Sequence, residues 1–151
     1  MSNILKFKKL NDGAIIPKYQ TSGSAGFDFH ANLYNINCVE KSIAIWPGEQ
    51  KIIDTGLSVD IPKGWQMEIR DRSGLAAKHS IAITNGVGTI DSDYSNEIKI
   101  ILFNLGKNIF TIKHGDRIAQ GVMMPAIQFD IEETNEIKET ERKGGFGSTG
   151  I

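Results

Sequence analysis

The chain has 151 residues, with 17 basic and 18 acidic side chains for a formal charge of −1, and 40% of it is hydrophobic. A single domain of this size buries enough surface to hold a core without staples, and the lone cysteine, Cys38, excludes an internal disulfide framework and any zinc site needing two thiolates. The near-neutral balance excludes a broad basic field for nucleic acid or an acidic membrane, and no run free of Asp, Glu, Lys and Arg, His79 to Ile90 being among the longest, approaches a helical membrane span.

From the start of the chain, Met1 to Leu10 interleaves lysines with apolar residues and shows no h-region, so no secretory signal is expected and a reducing, cytoplasmic setting is. Apolar residues then recur at every second position: Leu5 and Phe7, Phe27 and Phe29, Ile43 and Ile45, Trp65 with Met67 and Ile69, Ile98 and Ile100, Ile127 and Phe129. A period of two predicts half-buried strands. Turn formers separate them, at Asn11-Asp12-Gly13, Pro47-Gly48, Pro62-Lys63-Gly64, Asn85-Gly86, Leu105-Gly106-Lys107-Asn108 and His114-Gly115-Asp116. Strands at this spacing predict an all-β sandwich or barrel. Only Ser73 to Lys78 has helix formers in series, and it is too short to exceed two turns. After Ile131 the chain turns polar and then glycine-rich, which divides it into a core over 1–131 and an arm over 132–151 that is expected to be mobile on its own.

The signatures of zincins, thiol redox proteins, Gly-x-Ser-x-Gly hydrolases and P-loop nucleotide hydrolases are missing. His30, His79 and His114 lack metal-ligand spacing and read as surface or strand-end histidines. Five segments nonetheless carry more polar and glycine residues than strands and turns require. In Ala25-Gly26-Phe27-Asp28 a carboxylate sits between Phe27 and Phe29, on the polar side of a strand, and reads as solvated. Arg72-Ser73-Gly74-Leu75-Ala76 opens the helical turn; free N–H groups and an arginine fork suit an anion, and an N-capping serine beside a surface arginine fits equally well.

The third segment runs from Asn85 to Tyr94. Asn85-Gly86 predicts a tight hairpin turn, and Asp91 lies close to an aromatic ring on a loop, where partial burial would favour a general base. The fourth, Gly115 to Gln120, reads as a turn and strand start carrying an ion pair. In the fifth, the glycine-flanked Phe146, followed by Ser148 and Thr149, suits a ring on a base and donors on phosphate.

In this order the five segments resemble the five motifs of the trimeric deoxyuridine triphosphatases, and the resemblance extends through Pro47-Gly48-Glu49, Thr55-Gly56 and Ile61-Pro62 with Gly64-Trp65. It implies an all-β, β-clip or distorted jelly-roll-like domain with one short helix and an extended C-terminal arm. It also implies a homotrimer with active sites between subunits, hydrolysing dUTP to dUMP and pyrophosphate with Mg2+ across the phosphates. By position, Asp91 would activate the water. Asn85 and the backbone of Gly86 and Lys99 would pair with uracil, Thr89 and Ile90 would contact substrate, and Tyr94 would lie under the deoxyribose. Arg72, Ser73, Gly74 and Gln120 would hold phosphates, and Asp28 would bind the metal through water. Arg142, Phe146, Gly147, Ser148 and Thr149 would close over the nucleotide from a neighbouring subunit. Asp71, before Arg72, is expected either to weaken phosphate attraction or to pair with that arginine. A dCTP deaminase would need a glutamate where this chain has Ile101, and a non-catalytic trimer of the same fold would be expected to have lost some of these residues.

Overall fold

The computed structural model describes residues 4–37, 39–141 and 144. In chain order they form β1 (Lys6–Lys9), β2 (Phe27–His30), β3 (Ser42–Ile45), β4 (Gln50–Asp54), β5 (Leu57–Asp60), β6 (Trp65–Arg70), α1 (Ser73–His79), β7 (Ile81–Ile83), β8 (Gly88–Ile90), β9 (Lys99–Asn104), β10 (Phe110–Lys113) and β11 (Arg117–Pro125). The strands sort into a four-stranded sheet β2-β11-β6-β8, a three-stranded sheet β4-β9-β7, and the pairs β1-β5 and β3-β10. The result is the jelly-roll-like all-β arrangement. Of the two all-β alternatives the barrel is excluded, because these sheets stay separate and none closes on itself.

The period-two pattern explains most of the core. In β9, Ile100, Leu102 and Asn104 are buried while Lys99, Ile101 and Phe103 take the other face. In β6, Met67 and Ile69 point inward. Strand β2 departs from alternation, with Phe27, Asp28 and Phe29 all buried. The rings of Phe7 and Tyr19 pack edge-on against Phe27 at 5.8 and 5.4 Å, so one side of β2 is roofed by aromatics. On β11, a Cβ at position 121 would stand 2.6 Å from the Phe27 ring, and glycine there lets the two strands close up. Asn104, fully buried, donates to Ile45 O at 2.9 Å and Asn108 O at 2.8 Å and accepts from Gly106 N at 2.8 Å, tying the β9–β10 turn to β3.

Two expectations fail on pairing. Asn85-Gly86 does form a tight turn, with Gly86 at φ +73° and its N–H on Ile83 O at 3.3 Å. It does not close a hairpin, because β7 pairs with β9 while β8 pairs with β6, so the turn hands the chain from one sheet to another. Ile127 and Phe129 form no strand and are 74% and 81% exposed. Alternation supplies a face but no partner strand, and β11 ends at Pro125, which has no N–H to extend a ladder.

Candidate functional site

The register of β11 assembles the first half of the site. Gln120 stands opposite Asp28 of β2 on one side and Arg70 of β6 on the other, and a bulge between Arg117 and Ala119 re-aims the start of the strand. Asp28, expected to be solvated, is 8% exposed. Arg72 Nε donates to its Oδ1 at 3.0 Å and Arg117 Nη1 to its Oδ2 at 3.2 Å. Burying a carboxylate is costly unless it is paired, and here each oxygen has its own guanidinium. Arg72 Nη1 also donates to Arg117 O at 3.0 Å, which locks the two arginines to one another. Both line a cleft of about 320 Å3 between α1, β10 and β11. Burial holds the neighbouring His30 below its ordinary value of 6.5; Asp28 opposes that shift, and Arg117, Arg72 and Lys18 add to it.

Helix α1 begins differently from the N-capping serine reading. The N-cap is Arg72, with no side-chain cap bond, and Ser73 is the first helical residue, exposed beside Gly74. Asp71 does not pair with Arg72. Its Oδ1 accepts the Ile83 N–H at 2.6 Å and its carbonyl accepts Gln120 Nε2 at 2.7 Å, so it fastens the start of α1 to β7 and to β11.

The second half lies on the β7–β8 turn and on residues 91–98, which join β8 to β9. Asn85, Gly86 and Thr89 are exposed, and Ile90 packs against the core. Asp91 is exposed, so the partial burial expected of it is not supplied by the single chain. Tyr94 N donates to Asp91 O at 3.2 Å, and Tyr94 OH donates to Glu97 O at 2.9 Å. The side chain of Lys99 is turned to Asp54 at 2.7 Å and Glu97 at 3.3 Å, bonds that hold its ammonium above the usual lysine value, Asp54 first.

Strand β6 connects the halves: Glu68 and Ile69 pair with Thr89 and Gly88, and its end, Arg70, runs into Asp71 and Arg72. Among the described residues no hydrogen bond or ion pair joins Asp91 to Arg72, Ser73 or Gln120. Arg142, Phe146, Gly147, Ser148 and Thr149 lie outside the described residues. Arg117 and Glu97 were not among the expected site residues; the Gly115–Gln120 segment signalled an ion pair there, and nothing in the sequence signalled Glu97.

The described residues hold no group of three or more His, Cys, Asp or Glu that could bind a metal. A hard ion whose inner ligands are phosphate oxygens and water still fits, because such ions keep several waters. Each Asp28 oxygen accepts one bond from an arginine and has a second lone pair for a metal-bound water.

The chain thus offers an exposed carboxylate on the loop that carries the anchored Tyr94 ring and, on other elements, two arginines paired to the buried Asp28, groups suited to a phosphorylated ligand. Residues 12–150 match the sequence model of the dUTPase family. The chain belongs to the dUTPase family. It is 50% identical to the deoxyuridine 5'-triphosphate nucleotidohydrolase of Nautilia profundicola, over 97% of this chain and 98% of that one. Its fold matches that of the Staphylococcus bacteriophage 80alpha dUTPase with dUPNHPP at a TM-score of 0.87, 24% identity and coverage of 99% and 100%. A mutant dUTPase from phage phi11 of S. aureus, described with a structural Mg(II) ion, matches at a TM-score of 0.78 and 22% identity, over 89% of this chain and 98% of that one. No helix among the described residues is long and apolar enough to cross a membrane.

Proposed function

We propose that this dUTPase-family chain hydrolyses dUTP to dUMP and pyrophosphate, with Asp91 taking the proton of the attacking water. The water oxygen bonds to the α-phosphorus, the bond from that phosphorus to the bridging oxygen breaks, and pyrophosphate leaves. The observation that carries this reading is the Asp91–Tyr94 turn, which sets a carboxylate and an anchored aromatic ring on one loop. Asn85 with the backbone of Gly86 and Lys99 meets the uracil edge, Thr89 and Ile90 complete that wall, and Tyr94 lies under the deoxyribose. Fixed backbone donors and acceptors reject cytosine, whose amino group would face a donor.

Arg72, Ser73, Gly74 and Gln120 take the phosphates. Asp28 holds Arg72 in place and would hold Mg2+ through water, the ion supplying charge neutralisation for the triphosphate when bound. Phosphoryl transfer needs positioning and charge stabilisation more than a strong nucleophile, so one metal ion and a few arginines can serve a polyanion in a chain of net charge −1.

The exposure of Asp91 supports a homotrimer with shared sites. A base in bulk water gains little, and a covering segment from another copy would exclude water from it. The arm 132–151, with Arg142, Phe146, Gly147, Ser148 and Thr149, is that segment in this reading. Trp46 and Ile52, 59% and 60% exposed, offer apolar surface for neighbouring subunits. A cytoplasmic setting suits the single cysteine.

Incubation with dUTP and Mg2+ tests the function, with pyrophosphate and dUMP expected in equal amounts and far slower release from dCTP, dTTP and UTP. No pyrophosphate from dUTP with any divalent ion would overturn it. The deaminase reading is disfavoured because Ile101, on the outward face of β9, cannot supply a carboxylate.

A further inference from the structure

Residues 91–98 carry both Asp91 and Tyr94, and their far end is fixed independently of either. Thr55 Oγ1 donates to Ile98 O at 2.6 Å, and Ile98 N donates to Leu57 O at 2.8 Å. Between that anchor and Asp91, Glu97 is tied on three sides. Its carbonyl accepts the Tyr94 phenol at 2.9 Å, its Oε1 accepts the Gly56 N–H at 2.8 Å, and its Oε2 lies 3.3 Å from Lys99 Nζ. Gly56 is a rigid partner. It is buried at φ +68°, and a Cβ there would fall 1.8 Å from Asn32 Nδ2, so the elbow between β4 and β5 has little room to shift.

We propose that Glu97 is a positioning residue for sugar discrimination: its carboxylate, seated on the Gly56 N–H, fixes the carbonyl that holds the Tyr94 phenol, and thereby the ring that meets the sugar. The inference rests on the reading of Tyr94 as the surface under the deoxyribose. Without the carboxylate the start of β9 stays in place, because Thr55 and Leu57 still hold Ile98, and the carbonyl under the phenol, which shares a peptide plane with Ile98 N, keeps that one anchor and loses the second, the Glu97 side chain seated on Gly56. A ring free to move outward admits a 2′-hydroxyl, whereas dUTP, lacking that group, gains nothing.

Steady-state kinetics of the full chain with dUTP and with UTP, in Mg2+, test this. In Glu97→Ala the ratio of kcat/KM for dUTP over UTP should fall about tenfold, the scale expected when a positioning contact slips. Glu97→Gln keeps an acceptor for the Gly56 N–H and should restore the ratio to within about twofold. Glu97→Asp, one methylene short of Gly56, should behave like the alanine variant and keeps the test decisive if the latter fails to fold. An unmoved ratio in the alanine or aspartate variant, or equal losses on both nucleotides, overturns the proposal. So does an equal loss in the glutamine and alanine variants, which would assign the effect to the Lys99 pair. A parent chain that releases no pyrophosphate from dUTP fails the functional reading and this one with it. A parent that hydrolyses dUTP while its variants keep the ratio fails this proposal alone.

Discussion

Arg72 and Asp28 lie 44 residues apart in sequence, and their side chains meet at 3.0 Å. The carboxylate is 11% exposed and the guanidinium 25%, so the pair is largely shielded from water, and Arg117, 46% exposed, closes the other oxygen. Removing the charge at position 28 leaves two guanidiniums facing a group that no longer balances them. Asp28→Asn should therefore destabilise the fold by about 2 kcal/mol, discounted from a fully buried pair because both arginines keep some water. For a chain of this size that is a fall in Tm of about 5 °C. Thermal denaturation followed by circular dichroism checks it, and an unchanged Tm would mean that Asp28 is the solvated strand residue its sequence position suggests.

Asp91 makes no side-chain bond to any other described residue, so changing it should leave the fold intact. Asp91→Asn keeps the size of the side chain and removes the proton acceptor. Pyrophosphate release from dUTP should drop by about 10²- to 10⁴-fold, the range for loss of a general base. Calorimetric binding of a non-hydrolysable dUTP analogue should change little. Near-parental turnover would show that another group takes the proton.

His30 predicts a pH dependence of stability. Its Nδ1 is buried without a hydrogen-bond partner among the described residues, and burial holds its pKa below 6.5 in the folded chain. As pH falls through 6.5 the unfolded chain takes up a proton that the folded chain refuses, so stability is lost from there downward and levels off below the folded value. The carboxylate of Asp28 reduces the effect without reversing it. Urea unfolding at about pH 7.5 and about pH 5.5, on either side of the free imidazole value, should show a larger loss in the parent chain than in His30→Gln. Equal losses would mean that His30 titrates alike in both states.

Much of the fold is legible along the chain because it depends on local rules. Phe27 with Phe29, Met67 with Ile69, and the Leu75-Ala76-Ala77 turn lie in the elements that their spacing predicts. What depends on a distant partner is not legible. The burial of Asp28 follows from arginines 44 and 89 positions away, and neither separation leaves a mark on the strand that carries it. Asn85-Gly86 has the chemistry of a hairpin, yet β9 and β6 take the strands on its two sides. Ile127 and Phe129 have the alternation of a strand and find no neighbour. The motif residues of the site could be picked out by their order, whereas Glu97 and Arg117 act through contacts to Gly56 and Asp28 that only the folded chain brings together.

The proposed division of the site between subunits leads to a quantitative mixing experiment. Chains carrying Asp91→Asn retain the arm, and chains truncated after Lys138 retain Asp91, so each variant alone lacks one component at every site. If the arm of one copy serves the Asp91 of another, a random trimer made from equal amounts contains competent sites wherever a truncated chain's Asp91 meets an intact arm. Two independent choices of one in two give about a quarter of the parental activity. If each arm served its own chain, no site in any mixture would hold both components and activity would stay at the level of the separate variants. Unfolding and refolding the two chains together, then measuring pyrophosphate release per site, distinguishes these outcomes, and a mixture of parental chain with the truncated one controls for losses in reassembly.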